Sequence, residues 1–129
     1  MIGILKNPWD KQFFDLVESS KREILISSPF IKMQPINTFV KRLSHNPKIR
    51  VLTSFKLTYF RRNVSDLEAI DELVKIGNVR NVGNLHSKVY IFDKTNAVIT
   101  SSNLTYNGLT KNFEYGIILS DKKLVEKIY

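Results

Sequence analysis

Between residues 23 and 54 the hydrophobic period switches twice, and that switch most narrows what this chain can fold into. Residues 23–29 are a short apolar run ending in Pro29, the pattern of a buried strand. Ile36, Phe39, Val40 and Leu43 then recur at i, i+3, i+4 and i+7, which predicts a helix following Pro35, stopped at Asn46-Pro47. Residues 49–54 are a second apolar run. Strand, helix and strand in this order make a β-α-β unit with parallel strands and a right-handed crossover. The class is therefore α/β.

The rest of the chain extends that unit. Trp9, Phe13, Leu16, Val17 and Ser20 predict an amphipathic helix over 9–20. Residues 55–64 have no clear period. Ser65, with Glu68 three residues on, reads as an N-cap in a capping box. Leu67, Ile70, Leu73 and Val74 predict the helix that follows, closed by Gly77. Strands are expected over 86–93, 97–101 and 113–120, the first two joined as a hairpin through residues 93–96. A last helix starts near Asp121, and the chain stops inside it. Its 129 residues predict one domain, 1–129, and the abrupt end suggests a module cut from a longer protein.

Composition removes several chemistries. With no cysteine, disulfides, thiolate nucleophiles and cysteine-based metal sites are excluded. No apolar run reaches the ~18 residues of a membrane span, and the N-terminus lacks a signal-peptide pattern. A cytoplasmic protein without a membrane partner is expected. Charge points to the partner. The net value is +8, and residues 1–64 hold twelve basic and four acidic side chains, whereas residues 65–129 hold eight of each. Residues 24–64 contain Lys32, Lys41, Arg42, Lys48, Arg50, Lys56, Arg61 and Arg62 and no acid. A one-sided excess of this kind suits a polyanion. Tyr59-Phe60-Arg61-Arg62 interleaves aromatics with cations, which suits stacking and phosphate contact, so Lys56, Tyr59, Arg61 and Arg62 are candidate nucleic-acid contacts.

Two histidines are present. His45 precedes Asn-Pro at a helix end and reads as a cap or solvated side chain. His86 opens an expected strand with Lys88 two residues on, so both face one side, ~6–7 Å apart along the chain. An imidazole beside an ammonium suits a bound phosphate. Asp93 follows, then Ser101 and Asn103. This set resembles the phospholipase D superfamily, whose signature is His-x-Lys-x4-Asp-x6-Gly-Ser-x-Asn. His86, Lys88, Asp93, Ser101 and Asn103 match it in type and spacing, while Thr100 stands where Gly is usual. The segment 26–30 and residues 112–114 resemble the small bacterial nuclease and restriction-endonuclease branch. The resemblance implies a phospholipase D-like mixed β-sheet flanked by helices, an α-β-α sandwich.

Physical chemistry assigns the roles. His86 is the candidate nucleophile, forming a phosphohistidine. Lys88 holds phosphate oxygens, with Asn103 and Ser101 as neutral donors. Asp93 lies an odd number of residues from His86 and far along the strand, so it reads as a structural turn residue bonding local amides. Glu114, a carboxylate entering an apolar strand, is the expected orienting partner of His86, the place the resemblance also gives it. A leaving oxygen needs a second acid, and this chain has one His-x-Lys. A C2 homodimer bringing two His86 side chains together supplies it. No metal or cofactor is expected. The function expected is a metal-independent phosphodiesterase, a DNA-cleaving nuclease; the alternatives are a phospholipase or phosphatidyl transferase, and a non-catalytic nucleic-acid-binding module.

Overall fold

The structure, a computed structural model, describes residues 2–129. In chain order its elements are β1 (Ile2–Lys6), α1 (Asp10–Ser19), β2 (Glu23–Ser27), α2 (Met33–Arg42), β3 (Lys48–Thr53), α3 (Leu57–Arg61), α4 (Leu67–Ile76), β4 (Asn78–Asn81), β5 (Val89–Phe92), β6 (Asn96–Thr100), α5 (Tyr106–Leu109), β7 (Tyr115–Leu119) and α6 (Lys122–Ile128). The strands form one mixed sheet in the order β1-β7-β6-β5-β2-β3-β4. The expected β-α-β unit is there: β2 and β3 pair in parallel, and β4 adds in parallel to β3. The other pairings are antiparallel.

Alternation along the strands divides the core in two. Ile24, Ile26, Ile49, Val51, Tyr90, Phe92 and Val98 face α1, α2 and α4, and pack on Phe13, Val17, Ile36, Phe39, Ile70 and Leu73. Trp9, Phe13 and Tyr90 meet edge-to-face within 5.6 Å. Burying each such side chain contributes about 1.5–3 kcal/mol. The opposite face is thinner: Ile91, Ala97 and Leu119 meet Val125 of α6. The α-β-α sandwich is thus uneven, with β3 and β4 outside the α6 core cluster.

Three expectations change. Ser65 is not an N-cap. Its buried hydroxyl instead accepts from the Ile31 N–H and donates to the Ile31 carbonyl, at 3.1 and 3.2 Å, and Asp66 occupies the cap position without capping. Tertiary pairing with the turn after β2 has taken the hydroxyl. Gly77 closes α4 in extended backbone rather than the left-handed form; it is there because a Cβ would stand 2.5 Å from the Ile49 carbonyl oxygen. The strand expected from His86 begins at Val89, because β2 ends at Ser27 and β6 at Thr100, so little ladder remains for earlier residues.

Candidate active site

Sheet polarity gathers the candidate residues. β2, β3, β4, β6 and β1 end, and β5 and β7 begin, at one end of the sheet. His86 and Lys88 precede β5, Ser101 and Asn103 follow β6, and Glu114 precedes β7. The basic turn α3 follows β3 at the same end.

Ser27 positions the His-x-Lys segment. Its hydroxyl lies 2.9 Å from the Ser87 hydroxyl and 3.3 Å from the Ser87 carbonyl. Fixing Ser87 on one side turns His86 and Lys88 to the other, because successive side chains alternate in extended chain. Lys88 Nζ stands 3.4 Å from His86 Nε2. His86 is exposed and Lys88 half-buried, and neither makes an ion pair among the described residues.

Asn103 is positioned by Ser28, which is fully buried. The Ser28 hydroxyl accepts from the Leu104 N–H at 3.0 Å, donates to the Phe30 carbonyl at 2.8 Å, and stands 3.4 Å from Asn103 Oδ1. Ser102, also buried, is clamped from below: Trp9 Nε1 donates to its hydroxyl at 3.1 Å and the Tyr90 hydroxyl donates to its carbonyl at 2.9 Å. Burial pushes the Tyr90 phenol well up, so it stays a donor at any working pH. The turn carrying Ser101 and Asn103 is therefore held by core residues.

Thr100, standing where the motif's glycine is usual, fits because the small residue sits across the ladder. Thr100 pairs with Gly116, where a Cβ would lie 2.6 Å from both the Thr100 Cβ and the Ile99 carbonyl oxygen. The Thr100 hydroxyl accepts from the Ser102 N–H at 3.2 Å, tightening the turn.

Glu114 lies at this end of the sheet, but its carboxylate contacts Ser101 rather than His86. Oε1 accepts from the Ser101 hydroxyl at 2.6 Å and Oε2 from Asn112 Nδ2 at 3.4 Å. With its hydrogen on that carboxylate and its oxygen accepting from the Tyr115 N–H at 3.2 Å, Ser101 is not the donor expected for a phosphate.

Asp93 lies at the far end of β5, in a turn where it and Lys94 both have φ of 55°. Its carboxylate accepts from the backbone N–H of Lys21, Arg22 and Glu23 at 2.9, 2.7 and 2.9 Å. The amides are remote in sequence, not local as expected, because antiparallel β5 brings its end beside the start of β2. Partial burial pushes this carboxyl up, but the three amides outweigh it and hold it below its usual range.

Among the nucleic-acid candidates, Lys56, Arg61 and Arg62 are exposed on and beside α3. Tyr59 is half-buried, its ring edge-on to Phe30 at 4.8 Å with Lys56 Nζ 5.6 Å away. The acid-free stretch is not all free charge. Lys32 pairs with Asp66 at 2.8 Å, and Arg42 with Asp15 and Glu18 at 3.2 and 3.0 Å. Sequence reasoning missed the positioning roles of Ser27, Ser28 and Trp9. The serines fall in the 26–30 segment that carried the resemblance; Trp9 gave no signal beyond an apolar helix position.

This end-of-sheet arrangement matches a known class. Residues 13–129 match the family described as cardiolipin synthase, PLD-like domain, and the chain belongs to that phospholipase D-like family. The fold is similar to the phospholipase D family member Nuc from Salmonella typhimurium, with 20% identity over 99% of this chain and 88% of that one and a TM-score of 0.79. NucT from Helicobacter pylori is similar too, at 17% identity, 99% and 90% coverage and a TM-score of 0.78. A stretch of 42 residues is 38% identical to the DISARM protein DrmC of Bacillus paralicheniformis, covering 33% of this chain and only 18% of that relative. Among the described residues no helix is long and apolar enough to cross a membrane.

Proposed function

We propose that this domain is a phosphodiesterase that cleaves DNA through a phosphohistidine on His86, working as a C2 homodimer without metal. The observation that carries it is the 3.4 Å contact between Lys88 Nζ and His86 Nε2, which sets an imidazole nitrogen beside a cation on an open surface. Nε2 attacks phosphorus, and the bond to the leaving oxygen breaks as that oxygen takes a proton from His86 of the second copy. A water molecule then gives a proton back to that second imidazole and attacks phosphorus, and the bond to Nε2 breaks. Lys88 and Asn103 neutralise and hold the equatorial oxygens. Glu114, fixed by Ser101, balances the imidazolium of the acid step.

The dimer is supported by surface chemistry. Ile4, Ile117 and Ile99 are in register across β1, β7 and β6 on the thinly covered face, and Ile4, Ile99, Phe113 and Tyr115 are exposed. An apolar patch beside a site with one histidine suits a second copy. DNA is supported by Tyr59 standing among the exposed cations Lys56, Arg61 and Arg62 at the same end, an aromatic–cation set that suits bases and phosphates together. The family's own description keeps phosphatidyl transfer as the second reading. Labelled DNA, RNA and phosphatidylcholine vesicles, incubated in EDTA with wild type and His86→Ala, separate the two. Nicking of DNA lost in the variant is expected; lipid turnover with intact DNA would reject the nuclease reading.

A further inference from the structure

Arg50, part of the acid-free stretch, does not belong to the catalytic end. It points from the middle of β3 onto the sheet face that α6 leaves open. A cavity of about 360 Å³ lies there, lined by Leu25, Arg50, Leu52, Asn78, Arg80 and Tyr129. The register sets Arg50 beside Asn78 and Leu52 beside Arg80, so two guanidiniums rise diagonally from neighbouring strands on one face. Arg50 uses Nε on Glu23 at 3.3 Å and one terminal nitrogen on the Tyr129 hydroxyl at 3.1 Å, and its other terminal nitrogen has no hydrogen-bond partner among the described residues. Arg80 has no carboxylate partner among the described residues. Glu23 is further neutralised by Lys94 at 3.8 Å and accepts a hydrogen bond from the Tyr129 hydroxyl. The cavity therefore combines excess positive charge with an apolar floor and an aromatic ring.

We infer that this cavity binds a nucleotide phosphate, with Arg50 and Arg80 on the phosphate oxygens and the base against Leu25, Leu52 and Tyr129. Paired planar forks match phosphate geometry better than lysines would. The cavity lies within the ~300–1,000 Å³ range of small-ligand sites. The inference rests on the nucleic-acid reading above and gives the strand a second hold away from the reacting phosphate.

Arg80→Gln tests it, since Arg80 is exposed and unpaired and its loss should not unfold the chain. In a His86→Ala background, binding of a labelled oligonucleotide of about 20 nucleotides should weaken roughly five-fold, with a salt slope reduced by about one. Arg80→Lys should recover part of the affinity. With His86 intact, Arg80→Gln should turn over bis(p-nitrophenyl) phosphate at the wild-type rate. Adenosine monophosphate serves as the second probe: saturation lost in Arg80→Gln identifies a free nucleotide as occupant, whereas loss of oligonucleotide affinity alone identifies the strand. Unchanged binding of both probes would overturn the inference. Failure of the wild type to cleave either DNA or the small diester would reject the catalytic proposal, while the binding comparison would still decide the cavity.

Discussion

The hydroxyl of Ser101 donates to the carboxylate of Glu114 at 2.6 Å, joining the turn after β6 to the chain entering β7. This bond fixes the acid and consumes the proton that Ser101 was expected to offer a phosphate. Glu114→Gln should lower single-turnover cleavage by about 10²-fold, because a neutral amide no longer balances the imidazolium of the acid step. Ser101→Ala should cost less, about ten-fold, because the carboxylate persists but is loosely held. A Glu114→Gln enzyme of full activity would remove Glu114 from the mechanism.

Asp93, despite its place in the motif, bonds the backbone at the start of β2, and the role proposed for it is structural. Asp93→Ala removes three charge-assisted bonds to the start of β2 and should destabilise the fold by about 1.5–3 kcal/mol, read by thermal melting. The folded carboxyl is held below its ordinary value, so its stabilisation is complete above the unfolded pKa near ~4 and fades as pH falls through the lower folded one. The gap between wild type and variant should therefore narrow in acid. Below its melting temperature Asp93→Ala should retain turnover; selective loss of turnover in a folded variant would make Asp93 catalytic.

Much of this was legible because the signals are local. The β-α-β unit rests on apolar periods within one segment, and the His-x-Lys pair on an i, i+2 spacing. The edge strands were not legible. β1 buries only Leu5 and β4 is the polar Asn-Val-Arg-Asn, so neither shows alternation. α3 and α5 are single turns too short for a period. Ser28 and Asn103 are 75 residues apart, and only the pairing of β2 with β5 and β5 with β6 brings their loops together.

The Thr100–Gly116 pair should behave as a unit. Gly116→Ala places a Cβ into Thr100 and the Ile99 carbonyl and should cost about 1–3 kcal/mol. Thr100→Gly removes one of the two obstacles, so the double variant should be more stable than the sum of the singles by at least ~0.5 kcal/mol. Strict additivity in denaturant titrations would mean that the pair does not touch.

Ile99→Lys should break the dimer without unfolding the chain, since Ile99 is exposed on β6. Sedimentation should show monomers, and cleavage should fall in step. A monomeric variant with full activity would refute the shared site.

The central claim is that His86 carries the phosphoryl group. Rapid quench of the wild type on phosphate-labelled DNA in EDTA, followed by peptide mapping, tests it most directly. An acid-labile, base-stable adduct joining residue 86 through phosphorus to the retained DNA strand, absent in His86→Ala along with cleavage, is the predicted result. Cleavage that persists in His86→Ala, or an adduct at another residue, would contradict it.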